Sequence, residues 1–293
     1  MVREFRWRLK VRSYEGDAWG LVPAGVMLRY MEQSAVMAAA DAGYGRQFHE
    51  AHGSAWVIRR MTLLMQTPAR PGDELEVVTW ASHFTRVRGI REYRVTRLAD
   101  EHTQDYGAGT VALGIAEWVY VDRRTLTPLP IPATVARDLD VPGSPVGSYE
   151  PPPVPPTGKP RTFTMQRVAE WHEADSMGHV NNSVYADWLD DAVRAVLNEI
   201  GPTVRELKEL GLQLRGEYYN LDYKRAALPE DRVTITTHLE GASSEWCAFR
   251  QTVEGADGTP LLLAHSVYGW RTAEGHPASP PPEWANAVRH SLE

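Results

Sequence analysis

The sequence predicts an α+β protein made of two similar halves, each a long central helix wrapped by a curled antiparallel sheet. Three observations carry this reading. A proline-rich interval, P-G-S-P-V-G-S-Y-E-P-P-P-V-P-P-T-G-K-P at 142–160, divides the 293 residues into halves of similar size. Its fixed φ angles and missing N–H donors are expected to make it a stiff, extended connection, neither sheet nor helix. Each half then runs through one order of elements: a strand, an Asp-bearing loop, a long helix and a series of alternating strands. Finally, M-Q-T-P-A-R-P-G-D-E-L-E-V from Met65 aligns without gaps on Y-K-R-A-A-L-P-E-D-R-V-T-I from Tyr223, as an internal duplication requires. The expected divisions are a first domain at 1–141, a linker at 142–160 and a second domain at 161–293.

The elements follow in order. Met1–Lys10 is charged and strand-like, with no signal-peptide core behind it. G-D-A-W-G-L then places Asp17 three residues before Gly20, and Val26–Ala40 carries apolar residues near helical spacing. Asp73 marks a turn into the alternating runs Glu74–Trp80, Arg91–Leu98 and Gly109–Val121. In the second half A-D-S-M-G-H places Asp175 three residues before Gly178, and Val184–Ile200 has the helical pattern. Asp231 leads into Arg232–Leu239, Trp246–Val253 and Leu261–Trp270. One helix with about five strands is expected to bury the helix in its sheet, and two such units to associate as a pseudo-dimer.

Composition bounds the function. At 43% hydrophobic residues the chain can fill two cores of ordinary domain size. No apolar run approaches the roughly 18 residues of a membrane span, so the cytoplasm is the expected location. The single cysteine, Cys247, excludes an internal disulfide and any all-cysteine metal site. No H-x-x-x-H or H-E-x-x-H appears, so no metal is expected. No G-x-x-x-x-G-K-[ST] or G-x-G-x-x-G appears either, and cofactor-free chemistry is expected. The net charge of -7 argues against nucleic-acid binding. Residues 1–149 hold 18 Lys and Arg against 17 Asp and Glu, a balance of +1, and residues 150–293 hold 13 against 21, a balance of -8. An acidic partner would therefore meet the first half, through arginines such as Arg59, Arg60, Arg86, Arg88 and Arg91.

The most chemically suggestive segment is E-A-D-S-M-G-H-V-N-N-S-V-Y at 173–185. It sets a carboxylate, an imidazole and two amides at the mouth of a helix, where unpaired N–H groups and the positive end of the dipole favour a developing oxyanion. Gly178 allows a tight turn between Asp175 and His179, and Asn181-Asn182 offers N-cap chemistry. Acyl transfer is the reaction class this suggests.

D-S-M-G-H-V-N-N-S-V-Y followed by D-W-L resembles the active-site loop and central helix of hot-dog-fold thioesterases. V-R-S-Y-E at Val11–Glu15 and W-V-I-R-R-M at Trp56–Met61 resemble the opening of the acyl-ACP thioesterases of plants and bacteria, and together these matches span nearly the whole chain. The resemblance implies a tandem double hot-dog and hydrolysis of a fatty acyl thioester on acyl carrier protein (ACP). Coenzyme A as the carrier, and a noncatalytic acyl-binding protein on the same frame, stay open as alternatives. It implies catalytic Asp175, as nucleophile or as general base, and catalytic His179, orienting water or protonating the leaving thiolate. Met177, Gly178, Asn181 and Asn182 are then substrate-binding residues, with backbone N–H groups near Asn182 holding the thioester oxygen, and Trp56 and Arg60 are added from the first half. Glu32, on the first helix, is a further catalytic candidate, because some hot-dog thioesterases use a helix carboxylate from the opposing subunit. Asp17 reads as a decayed copy of Asp175, since Leu21 stands where the histidine would be. A homodimer is compatible with the family.

Two departures from the plant pattern stand out. The plant loop reads D-x-N-x-H, and here Met177 takes the place of the Asn. A later catalytic Glu of that family falls near Ala226 and Ala227 here. The string V-P-A-G-V also resembles the P-G-V helix of hydroxyacyl-ACP dehydratases, but the His and Glu those enzymes need are replaced by Leu21, Val22 and Tyr30. An acyl chain would need adaptable linings, for which Met27, Met31, Met37, Met61, Met65 and Met177 are suited, although ordinary core packing explains them equally well.

Overall fold

A computed structural model describes residues 4–99, 108–139 and 148–289. They fall into two compact units, Met1–Val22 with Val26–Tyr149, and Pro23–Gly25 with Glu150–Glu293.

In the first unit the sheet comprises β1 (Phe5–Lys10), β2 (Ser54–Met65), β3 (Glu74–Phe84), β4 (Arg88–Arg97) and β5 (Gly109–Asp122). Their order is β1-β3-β4-β5-β2, every pairing antiparallel. The long helix α1 (Ala24–Asp41) buries Met27, Met31, Ser34 and Ala38, spaced by four, three and four residues as one helical face requires. It packs so closely that a Cβ added at Gly114 of β5 would meet Met31 Sδ at 2.7 Å and Met61 Cε at 2.9 Å. Two short helices, α2 (Arg46–His52) and α3 (Ala133–Leu139), cover a satellite cluster of Tyr44, Ala81, Val135 and Leu139, with Trp56, Phe84 and Phe48 against it.

The second unit contains β6 (Pro156–Val168), α4 (Val184–Ile200), α5 (Val204–Glu209), β7 (Leu212–Tyr223), β8 (Arg232–Ala242), β9 (Trp246–Gly255), β10 (Pro260–Thr272) and α6 (Pro282–Arg289). Its strand order is β6-β8-β9-β10-β7, again antiparallel. Helix α4 buries Tyr185, Trp188, Leu189, Ala192, Val193, Val196 and Ile200, each large side chain contributing about 1.5–3 kcal/mol by leaving water. Gln251 of β9 donates to the Leu189 carbonyl at 3.1 Å, fixing helix to sheet. No described helix is long and apolar enough to cross a membrane.

Two expectations need correction. Strand β6 starts inside the interval read as linker: Pro156 pairs with Gly241 ahead of a register break. Proline is tolerated there because β6 is the edge strand of its unit and needs no N–H on the open side. Residues 142–147 of that interval lie outside the described residues. Second, Arg91 is 9% exposed and not a surface arginine, since strand register puts it on the face of β4 that also carries Tyr93 and Val95. The four short helices were not legible at all, being too brief to show a period.

Candidate active site

The loop before α4 is closed by its own backbone. Asp175 N–H donates to the His179 carbonyl at 2.8 Å, Gly178 N–H to the Asp175 carbonyl at 3.0 Å, and Met177 N–H to Asp175 Oδ1 at 2.7 Å. Gly178 holds φ at 80°, in the left-handed region where only glycine is unstrained. Val180 N–H then reaches the Ala227 carbonyl at 2.9 Å, tying the loop to the turn before β8. Ala227, near the place of the plant family's later Glu, thus anchors the loop through its backbone; its own N–H donates to Tyr185 Oη at 2.9 Å.

The same network recurs 158 residues earlier. Asp17 N–H donates to Leu21 at 2.8 Å, Gly20 N–H to Asp17 at 2.9 Å, Trp19 N–H to Asp17 Oδ1 at 2.8 Å, and Val22 N–H to Ala69 at 2.8 Å. Gly20 also has positive φ, 70°. The first loop is therefore an intact structural copy with Leu21 in place of the imidazole.

A residue missed at the sequence level supports each loop from below. Glu173 accepts from Glu170 N–H at 2.7 Å, Arg167 Nη2 at 2.7 Å and Trp188 Nε1 at 2.9 Å, and the Arg167 guanidinium lies 4.7 Å from the Trp188 ring. Glu15 does the same in the first unit, accepting from Arg12 N–H at 2.7 Å, Arg12 Nη1 at 2.8 Å and Tyr30 Oη at 2.6 Å. Burial alone would push the Glu15 carboxyl up, but the Tyr30 and Arg12 hydrogen bonds outweigh it and hold the group below the usual carboxylate range. The signal was present in the sequence: both acids stand two residues before the loop Asp.

At the helix mouth Asn181 provides the capping acceptor, its Oδ1 taking Ser183 N–H at 2.9 Å and also the Ser183 hydroxyl. The backbone donors there are nearly all used. Val180 and Asn181 N–H reach Ala227 and Glu173, Ser183 N–H reaches Asn181 Oδ1, and Val184 N–H reaches the Asn181 carbonyl. Among the described residues no acceptor meets Asn182 N–H, while Tyr223 Oη donates to the Asn182 carbonyl at 2.9 Å and fixes that peptide. Asn182 N–H is thus one of the donors the sequence reading places near Asn182 that the fold leaves available.

The structure gathers Asp175, Met177, Gly178, His179, Asn181 and Asn182 into this one loop. Asp175, Met177 and His179 are half-buried. Asp175 and His179 are joined through the backbone, and among the described residues no hydrogen bond links their side chains. Glu32, Trp56 and Arg60 belong to the first unit. Glu32 is half-buried on α1, and its charge adds to the burial that pushes the Tyr93 phenol up. Trp56 packs 5.0 Å from Tyr120 in the satellite cluster, and Arg60 is exposed on β2 beside a bulge.

Position 32 plus 158 is Asp190, which the sequence did not single out. It is buried on α4 and its Oδ1 accepts both Tyr219 Oη and Tyr268 Oη at 2.7 Å. Burial raises its pKa above the usual carboxylate value. Cys247 is fully buried and its thiol is pushed up to about 12 by desolvation, so it is inert as a nucleophile. Among the described residues no group of three or more His, Cys, Asp or Glu is placed to hold a metal ion.

Comparison with known proteins matches residues 3–138 to the acyl-ACP thioesterase N-terminal domain and residues 169–288 to the thioesterase-like superfamily. The chloroplastic acyl-[acyl-carrier-protein] hydrolase FATB2 of Cuphea viscosissima is 22% identical over 91% of this chain and 62% of its own length. The chain thus spans less than two thirds of that relative. Among solved structures, an acyl-ACP thioesterase from Bacteroides thetaiotaomicron superposes with a TM-score of 0.67 at 16% identity, covering 90% of this chain and 97% of that one. The 12:0-ACP thioesterase from Umbellularia californica gives 0.67 at 18% identity, covering 92% and 94%. At these identities the likeness establishes an α+β fold in common.

Proposed function

We propose that this chain is an acyl-ACP thioesterase, a reading supported by the matches to that family's N-terminal domain and to the thioesterase-like superfamily, and that it hydrolyses fatty acyl-ACP thioesters, releasing the free acid and the carrier thiol. The observation that carries this reading is the Asn182 N–H, without an acceptor among the described residues, in the same loop as the Asp175 carboxylate and the His179 imidazole. Such a donor at the N-terminal end of α4 is suited to a carbonyl oxygen gaining negative charge. Asp175 then either attacks the thioester carbon or takes the proton of an attacking water, and His179 orients that water or protonates the departing thiolate. Met177 in place of the plant Asn leaves its backbone N–H as the hydrogen-bond donor to Asp175.

In this reading the two units are tandem hot-dog copies, the second carrying the reactive loop. The recurrence of loop, buttress and helix carboxylate at an interval of 158 residues supports it. With Arg91 buried, Arg60 and Arg86 remain exposed on the first unit as cations for an acidic carrier protein.

The experiment is thiol release from matched acyl-ACP and acyl-CoA substrates over a range of acyl lengths. Faster release from the ACP series is expected. A strong preference for CoA would move the carrier assignment, and release no faster than in buffer, with an acyl ligand still retained, would replace hydrolysis by binding.

A further inference from the structure

The internal duplication separates the bonds that build the loop from those that only the second copy has. The backbone bonds Asp175–His179, Gly178–Asp175 and Val180–Ala227 all have counterparts in the first unit, at Asp17–Leu21, Gly20–Asp17 and Val22–Ala69. Two side-chain bonds have none. Tyr223 Oη donates to the Asn182 carbonyl at 2.9 Å, and Ala227 N–H donates to Tyr185 Oη at 2.9 Å. The corresponding positions of the first unit are Met65 and Met27, both buried. Methionine fills those places in the first copy, so packing alone does not call for the two phenols.

Asn182 stands between two peptides that are held in different ways. The Asn181 carbonyl accepts Val184 N–H at 3.0 Å. In a trans peptide the C=O and N–H point in opposite directions, so this bond aims Asn182 N–H out of the helix mouth. On the other side, the Asn182 carbonyl meets no backbone N–H among the described residues, and Ala186 N–H goes to Ser183 instead, at 3.1 Å. What the Asn182 carbonyl accepts is the phenol of Tyr223, 41 residues away on β7. Tyr223 is itself fixed: it is buried, paired with Leu262 of β10, and edge-on to the Tyr185 ring at 5.7 Å. The sheet thereby holds the residue whose N–H is open.

We propose, building on the hydrolytic reading of the Asp175 loop, that Tyr223 is a positioning residue which holds the Asn182 backbone so that its N–H stays aimed at the thioester oxygen. Without the phenol the peptide after Asn182 can rotate, and the dihedral angles of Asn182 relax with it. A donor off its line gives up much of the stabilisation that a developing oxyanion draws from it. The ground-state carbonyl carries less charge and depends less on that donor, so the loss falls on kcat and not on KM.

The test is steady-state thiol release by Tyr223→Phe from the acyl-ACP that the wild type cleaves fastest, together with hydrogen exchange of the Ser183 amide in protein carrying isotope-labelled serine. The Phe variant should lose about 10- to 100-fold in kcat with KM within about twofold of the wild type. Tyr223→Met, which copies the first unit, should fold and lose turnover to the same extent. Ser183 N–H belongs to the peptide that the phenol holds, so it should exchange at least about fivefold faster in both variants. Wild-type kcat in either variant would overturn the proposal, as would a rise in KM alone or unchanged Ser183 exchange. Failure of both variants to fold would overturn it too, by making the phenol a structural group. A wild type that releases no thiol above buffer would instead overturn the hydrolytic reading, while Ser183 exchange would still report whether Tyr223 holds the peptide.

Discussion

Asp175 donates its backbone N–H to the carbonyl of His179 at 2.8 Å, which fixes the carboxylate and the imidazole at the two ends of one closed turn. Asp17 and Leu21 make the same bond at the same distance. The turn therefore does not need a histidine to close.

This makes His179→Leu a clean probe. The substitution copies the residue of the first loop, so the melting temperature should stay near that of the wild type. Turnover should fall by about 10²–10⁴, the usual contribution of an acid–base group. Full activity with an unchanged melt would remove His179 from the chemistry.

Asp190 separates charge from hydrogen bonding. Its folded pKa is raised, chiefly by burial, so its stabilising contribution is present below the unfolded value of 3.8 and is lost as pH rises through the folded value. At neutral pH the charge is a cost, while the acceptor is needed by Tyr219 and Tyr268. Asp190→Asn keeps a carbonyl acceptor and should lie within about 1 kcal/mol of the wild type, whereas Asp190→Ala strands two buried hydroxyls and should cost about 2–5 kcal/mol. Denaturant unfolding checks this, and equal losses in the two variants would contradict it.

His49 gives the first unit a pH dependence. Tyr120 Oη donates to Ser54 Oγ at 2.7 Å, and Ser54 Oγ lies 3.1 Å from His49 Nδ1, which can accept the Ser54 proton when the ring is neutral. Burial, with the neighbouring His52 charge, lowers the His49 pKa below 6.5. The corresponding stability is present above the unfolded value and is lost as pH falls through the folded one. Melting temperatures from about pH 7.5 to about pH 5 should fall more steeply in the wild type than in His49→Gln, across the range where histidine titrates. Parallel slopes would contradict the assignment.

Glu230 occupies left-handed backbone at φ 71°, where the first copy has Gly72 at φ 98°. Glu230→Gly should relieve about 1 kcal/mol of that strain, partly offset by the entropy of glycine in the unfolded chain. A raised unfolding midpoint is expected, and a clear fall would show that the side chain makes compensating contacts.

The long helices and most strands were legible because their apolar residues recur at three-to-four and two-residue spacings. Met27, Met31 and Ser34 keep one face, and Tyr93 and Val95 another. The inward phase of Arg91 was also written in R-E-Y-R-V, but charge was read as exposure, and alternation does not say which face is buried. The Asp-to-Gly spacing located both loops. Glu173 and Asp190 escaped notice because their roles depend on Trp188, Tyr219 and Tyr268, partners brought together only by folding. Pro156 was misread because proline excludes a central strand but not an edge.

The central claim is hydrolysis at the Asp175 loop, and thiol release from acyl-ACP by Asp175→Asn tests it most directly. The variant keeps an oxygen for Met177 N–H, so folding and melting should match the wild type. Turnover should drop by at least about 10³, as expected when a nucleophile or base is lost. An Asp175→Asn protein that releases thiol at the wild-type rate would contradict the account.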